Sequence, residues 1–150
     1  MDVTVILILA ASTTSVYSSS ASEPWLDARI PRSLYPIQYN LFLWLGVNEN
    51  TFDGNVVILA EVKKTTNYIL VHSHSNVSNV RVFNKTGEMN LNQSFEYFTN
   101  RYYVVETEEA MMKGTIVAVN MTFSSYIADV AGVYIAAYFD DTTGTKRRVK

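Results

Sequence analysis

The sequence predicts an all-β fold, an antiparallel two-layer β-sandwich. Three observations point there. Apolar and polar residues alternate with a period of two through several short segments, and clusters of Gly, Asn, Ser and Thr divide those segments. No long run carries a convincing helical period. Ten Tyr and seven Phe lean the composition towards strands, and 150 residues are enough for one domain with a substantial core.

Residues 1–22 read as a processing segment. The apolar run Val3 to Ala11 is too short for a bilayer span, which needs about 20 residues. A Ser/Thr/Ala-rich stretch follows, with a small-residue cleavage step at Ser19-Ser20-Ala21. A secretory signal peptide fits this pattern, although Asp2 stands where a basic residue is usual. The other reading is the remnant of a signal anchor with a Ser/Thr-rich stalk. Either one directs residues 23–150, the expected β domain, to secretion or to the extracellular face of the plasma membrane. Contact with a membrane is expected only through such an N-terminal anchor.

The folded part opens at Arg29 to Leu45. Pro31 and Pro36 push their preceding residues towards extended geometry. Tyr39, Leu41, Leu43 and Leu45 then share one face of a strand, with Asn40, Phe42 and Trp44 on the other. After a turn at Gly46–Asn50 comes a strand from Thr51 to Val62. Gly54 inside it signals a bulge or the close approach of another backbone. Lys63–Thr66 is a short polar connection to a strand at Asn67–His72, and the two strands are expected to be neighbours in one antiparallel sheet. Val80–Phe83, Phe95–Phe98 and Tyr102–Glu106 are further short strands. The run from Glu106 to Lys113 is helix-friendly but spans only about two turns, so a loop or single turn is expected there. Thr115–Phe123 is a strand rich in β-branched residues, and Asp140–Gly144 reads as a turn into one more strand.

Several kinds of chemistry have little footing in this chain. It contains no Cys, so disulfides, thiolate catalysis and Cys-ligated metals are excluded. A net charge of −2, with the one basic cluster at Lys146-Arg147-Arg148, offers no nucleic-acid surface. His72 and His74 would share a face if their strand continued, yet catalytic zinc generally takes three protein ligands and no third is evident. Asp140-Asp141 with Thr142 lacks the spacing of a calcium loop. No phosphate loop or nucleophile elbow occurs. No catalytic, metal or cofactor-binding residue is therefore assigned.

The more specific signal is a set of four N-glycosylation triplets, with acceptors Asn76, Asn84, Asn92 and Asn120. The first three fall in polar stretches expected to be connections. Asn120 falls inside an expected strand.

Four segments, in order, carry a family resemblance. Arg29-Ile30-Pro31 through Pro36 to Tyr39-Asn40-Leu41 resembles the opening of the N-terminal β domain of M1 zinc aminopeptidases, the aminopeptidase N group. Phe52-Asp53-Gly54 is similar to that family's Phe-x-Gly strand, and Ile69 to Ser73 to its apolar strand ending in His. Phe123 through Gly132-Val133-Tyr134 to Tyr138 resembles its Gly-Phe-Tyr-Arg-Ser-x-Tyr segment, with Ile135 where the family usually has Arg and Val133 where it usually has Phe. The resemblance spans about residues 24–148.

It implies a saddle-like sandwich whose partner is the catalytic domain of a longer protein, with the last strand or strands absent from this chain. The family's zinc is held by a His-Glu-x-x-His helix, and its substrate amine by a Gly-Ala-Met-Glu-Asn strand. This sequence contains neither motif. The expectation is a truncated, non-catalytic N-terminal domain. The alternative is a stand-alone secreted, glycosylated binding module.

Overall fold

The computed structural model describes residues 23–46, 49–127 and 137–148. A 3-10 turn at Pro24–Leu26 precedes ten strands: β1 (Leu34–Gly46), β2 (Thr51–Val62), β3 (Thr66–His72), β4 (Asn76–Asn84), β5 (Gly87–Met89), β6 (Leu91–Tyr97), β7 (Tyr102–Met111), β8 (Ile116–Tyr126), β9 (Ala137–Asp140) and β10 (Thr145–Arg148). Five strands form one sheet in the order β1-β2-β8-β4-β5, and three form a second in the order β3-β7-β6. Both are antiparallel, and β9 and β10 make a separate hairpin. The expected all-β sandwich is therefore found. The expected leader, residues 1–22, and the Gly132-Val133-Tyr134 part of the family motif lie outside the described residues.

Alternation along the strands decides which residues meet between the layers. Ile58, Ala60 and Val62 of β2 share their face with Val117, Val119 and Met121 of β8, paired as Ala60↔Val117 and Ile58↔Val119. Val82 and Met89 extend that surface along β4 and β5, and the opposing sheet contributes Ile69, Val105 and Met111. Each such burial contributes about 1.5–3 kcal/mol relative to exposure. Gly54 accommodates a close approach. A Cβ there would run into the Phe123 ring and stand 2.9 Å from Leu43 Cδ2. Register is unbroken through this position on both sides, so a neighbouring side chain, and no bulge, requires the glycine.

A second apolar cluster covers the back of the three-stranded sheet. Trp25 packs there with Tyr102 and Val104, and meets Tyr68 and Phe95 edge-on with ring centroids 5.3 and 5.2 Å away. The Asn100 amide fixes this segment by donating to the carbonyls of Trp25 (2.8 Å), Leu26 (3.3 Å) and Asp27 (3.1 Å). Beside it the Tyr68 hydroxyl donates to Glu106 (3.1 Å), whose other oxygen accepts from Gln93 (2.7 Å).

Two expectations are corrected. Strands β2 and β3 are not sheet neighbours: β2 pairs with β1 and β8, whereas β3 pairs with β7. The connection Lys63–Thr65 is a corner between layers, held by Lys63 and Lys64 N–H donating to the Ser33 carbonyl at 2.7 and 3.2 Å. A short polar link serves a hairpin and a corner equally well, so the pattern alone does not separate them. The segment Glu106 to Met111 is also not a loop or helical turn but the second half of β7. Buried Thr107 explains this, because its hydroxyl donates to the Asn67 carbonyl while the Asn67 amide donates back to the Thr107 carbonyl (both 3.1 Å).

Trp25→Ala should lower unfolding free energy by about 3–5 kcal/mol in denaturant titrations, since it removes a large buried side chain. A second expectation concerns Tyr68, whose pKa is raised above its ordinary value, first by burial and then by the hydrogen bond to Glu106. A raised acid keeps its proton longer in the folded state. Its stabilising contribution is thus complete below the unfolded value of about 10 and is lost as pH climbs through the folded one. Stability measured from pH 9 to 11.5 should fall more shallowly in Tyr68→Phe than in the parent.

Candidate functional site

The predicted chemical residues do not assemble into a catalytic centre. His72 closes β3 and its ring rests on Tyr102 with centroids 4.7 Å apart. The strand stops there: Ser73 N–H donates to the Arg101 carbonyl (3.0 Å), and the Ser73 hydroxyl engages the Ser75 backbone in a tight turn that carries His74. Among the described residues no group of three or more His, Asp or Glu side chains is placed to hold a metal. The donor set therefore does not fit the zinc that the family resemblance implies for the catalytic domain.

The acidic clusters are structural. Glu106 is tied to Tyr68 and Gln93, while Glu108 and Glu109 are exposed on β7. Asp140 accepts from the Thr142 hydroxyl (2.7 Å) and N–H (3.0 Å) in the β9–β10 turn, and these bonds hold its pKa below the usual carboxylate range. The exposed pair Arg81–Glu88 links β4 to β5, and the guanidinium's hydrogen bond lowers the Glu88 pKa.

The acceptor asparagines are placed differently from one another. Asn76 opens β4 and is exposed, Asn84 closes β4 at its turn into β5, and Asn92 lies exposed in β6. They were expected in connecting segments. Each instead sits at a strand end or on an edge strand, because β4 and β6 run longer than their short apolar centres suggest. Asn120 is in the middle of β8, where its side-chain oxygen accepts from Asn55 of β2 at 2.7 Å.

The feature that does stand out is β1. Among the described residues it is hydrogen-bonded on one side only, to β2. Eight of its large hydrophobic side chains are exposed, from Tyr35 at 61% to Trp44 at 56% and Leu45 at 53%. Pro36 accords with an edge position, since proline cannot donate to a ladder bond. On one face Phe42 and Trp44 lie against each other with centroids 5.1 Å apart.

The other face of β1 borders two clefts that open towards β3. One, of about 410 Å³, is lined by Ile30, Pro31, Tyr39, Ile58, Tyr68 and His72 among others. The second, of about 270 Å³, includes Tyr39, Leu41, Val56, His74 and Phe123. The lining is mainly apolar, which suits a hydrophobic occupant. The sequence places these residues on a two-faced strand, but alternation alone does not reveal that one whole edge stays uncovered.

Comparison with known proteins agrees with this geometry. The chain is 25% identical over 126 residues to endoplasmic reticulum aminopeptidase 1 of Rattus norvegicus, covering 81% of this chain and 14% of that protein. It is 31% identical over 101 residues to glutamyl aminopeptidase of Bos taurus, covering 65% and 11%. To aminopeptidase N of Rattus norvegicus it is 28% identical over 145 residues, covering 87% and 15%. The chain thus spans about one seventh or less of the length of these curated relatives. The family described as Peptidase M1 N-terminal domain matches residues 35–150, and the chain belongs to the M1 peptidase family through that N-terminal β domain.

Proposed function

We propose that this sandwich is the non-catalytic, structural part of an M1-type aminopeptidase, and that its β1 edge is where the rest of such a protein docks. The single observation carrying this reading is the exposure of eight large apolar side chains on one strand that, among the described residues, is paired on one side only. Monomeric soluble proteins seldom expose contiguous apolar patches beyond about 300–600 Å² without a functional reason. Free backbone N–H and C=O groups along the same edge would accept a further strand, while the two clefts would take side chains from it. Zinc and the peptide-cleaving groups would then be supplied by the adjoining catalytic domain. Residues 1–22 and the four glycosylation triplets support a secretory route and a luminal or extracellular location.

Two measurements test this reading. With zinc added, the purified 150-residue chain should release no product from aminoacyl chromogenic substrates; chelator-sensitive turnover would overturn the non-catalytic assignment. The chain should also self-associate through β1. The double substitution Phe42→Lys/Trp44→Lys should shift its sedimentation towards monomer at equal concentration. A parent chain that is already a monodisperse monomer would instead favour the stand-alone secreted module.

A further inference from the structure

We propose that the sandwich has a sugar-bearing border along β4, β5 and β6, where Asn76, Asn84 and Asn92 accept N-linked glycans, and that Asn120 stays unmodified. The inference rests on the secretory placement proposed above.

Sheet order defines the border. One sheet ends at β5 and the other at β6, while their opposite ends are β1 and β3. The apolar clefts open between β1 and β3. Asn84 and Asn92 lie on the far border, on β4 and β6 around the short strand β5, while Asn76 opens β4 at its other end, between Ser75 and Val77 of the smaller cleft's lining. The far border is thus polar and carries two acceptor triplets, and the third acceptor is exposed at the opposite end of β4.

Each of the three can project a glycan into solvent. Asn84 offers the most defined geometry. Its side-chain oxygen accepts from the Thr86 hydroxyl (2.6 Å), the Thr86 N–H (2.8 Å) and the Gly87 N–H (3.1 Å). Acceptor amide and triplet hydroxyl are therefore held together at the tip of an exposed hairpin. Asn92 lies on an edge strand, next to a register shift between Leu91 and Gln93. A glycan there would block the strand-to-strand pairing that an open edge invites. Asn76 is exposed at the start of β4, beyond the reach of β5, which pairs only with Val82 to Asn84.

Asn120 differs in its place in the sheet. It is half-buried, as Asn84 is, but lies in the middle of a strand with hydrogen-bonded neighbours on both sides, facing Val57 of β2 and Arg81 of β4 in register. Paired residues across a sheet stand only about 5 Å apart. Its side-chain oxygen accepts from the Asn55 amide of β2 (2.7 Å), which also donates to the Met121 carbonyl at 3.2 Å, so a glycan here would have to leave from the interior of the sheet. Asn120 is thus a structural residue within a triplet.

The transfer itself is ordinary. The acceptor Nδ2 attacks the anomeric carbon of a polyprenyl-diphosphate-linked oligosaccharide. A C–N bond forms as the C–O bond to the diphosphate breaks, the lipid diphosphate departs, and the displaced amide proton goes to a base of the transferase. No oxidation or reduction is involved.

The test is expression of the full chain in a eukaryotic secretory host, once with its own N-terminus and once behind a heterologous cleavable leader. Electrophoretic mobility is read on the whole cellular pool before and after an endoglycosidase that removes N-glycans. Three removable steps are expected behind the heterologous leader. Asn76→Gln, Asn84→Gln and Asn92→Gln should each remove one, Thr86→Ala should match Asn84→Gln, and Asn120→Gln should remove none. A step lost in Asn120→Gln, or none lost in any one of the other three, would overturn the assignment. If sugar appears only behind the heterologous leader, the secretory placement fails and the acceptor assignment stands.

Discussion

The rest of the structure depends on the register between β2 and β8. It runs without a break from Thr51↔Tyr126 to Glu61↔Ile116. Among the described residues β1 joins the sheet through β2, and β4 and β5 join it through β8, so this ladder links the five-stranded layer. A slip of one residue would flip one strand against the other, turning outward either Ile58 and Ala60, with Val57 and Leu59 in their place, or Val117 and Val119, with Ala118 and Asn120 in theirs. The ladder is also anchored at its end. Val62 N–H donates to the Thr115 carbonyl at 2.9 Å, and Gly114 N–H donates to the Val62 carbonyl at 2.7 Å. Gly114 has φ +86, the left-handed region where glycine is favoured, so this tight return is built into the sequence.

From that ladder the asymmetry of the molecule follows. Five strands face three, and the shorter layer leaves β1 uncovered. The back of the three-stranded sheet is closed by Trp25 and the Asn100 amide, so the N-terminal part of the described chain completes the outer surface of one layer. Nothing comparable covers β1 among the described residues. The relatives named above are far longer than this chain, and the docking proposed above would cover both the β1 edge and the apolar clefts.

Local periodicity made much of this legible. The strand from Thr51 to Val62 and the β-branched strand ending near Phe123 follow from alternation and turn residues alone. Gly54 pointed to a bulge or the close approach of another backbone, whereas the group that requires the glycine is the Phe123 side chain. Non-local decisions were not legible. Whether Lys63–Thr65 is a hairpin or a corner depends on distant partners, β8 for β2 and β7 for β3. That Glu106 to Met111 is a strand depends on Thr107 meeting Asn67 of the neighbouring strand β3, 40 positions away. In the candidate site, the identity of each β1 residue was readable, but its exposure is set by a sheet edge that only the topology reveals. The triplet at Asn120 shows the same limit, since its partner Asn55 is 65 positions distant.

That separation also bears on how the chain folds during synthesis. Strands β1 and β2 are joined by a short turn and can pair as soon as both are made, whereas β8 is translated some 60 residues later. At about 5–20 residues per second, this interval is roughly 3–12 s. Throughout it the inner edge of β2 lacks its permanent neighbour and both faces of the hairpin are wet. Such a hairpin would be an early client for chaperones that shield apolar surface. Non-local pairing is intrinsically slow, so the same ladder that holds the finished sheet together also sets the period of greatest vulnerability.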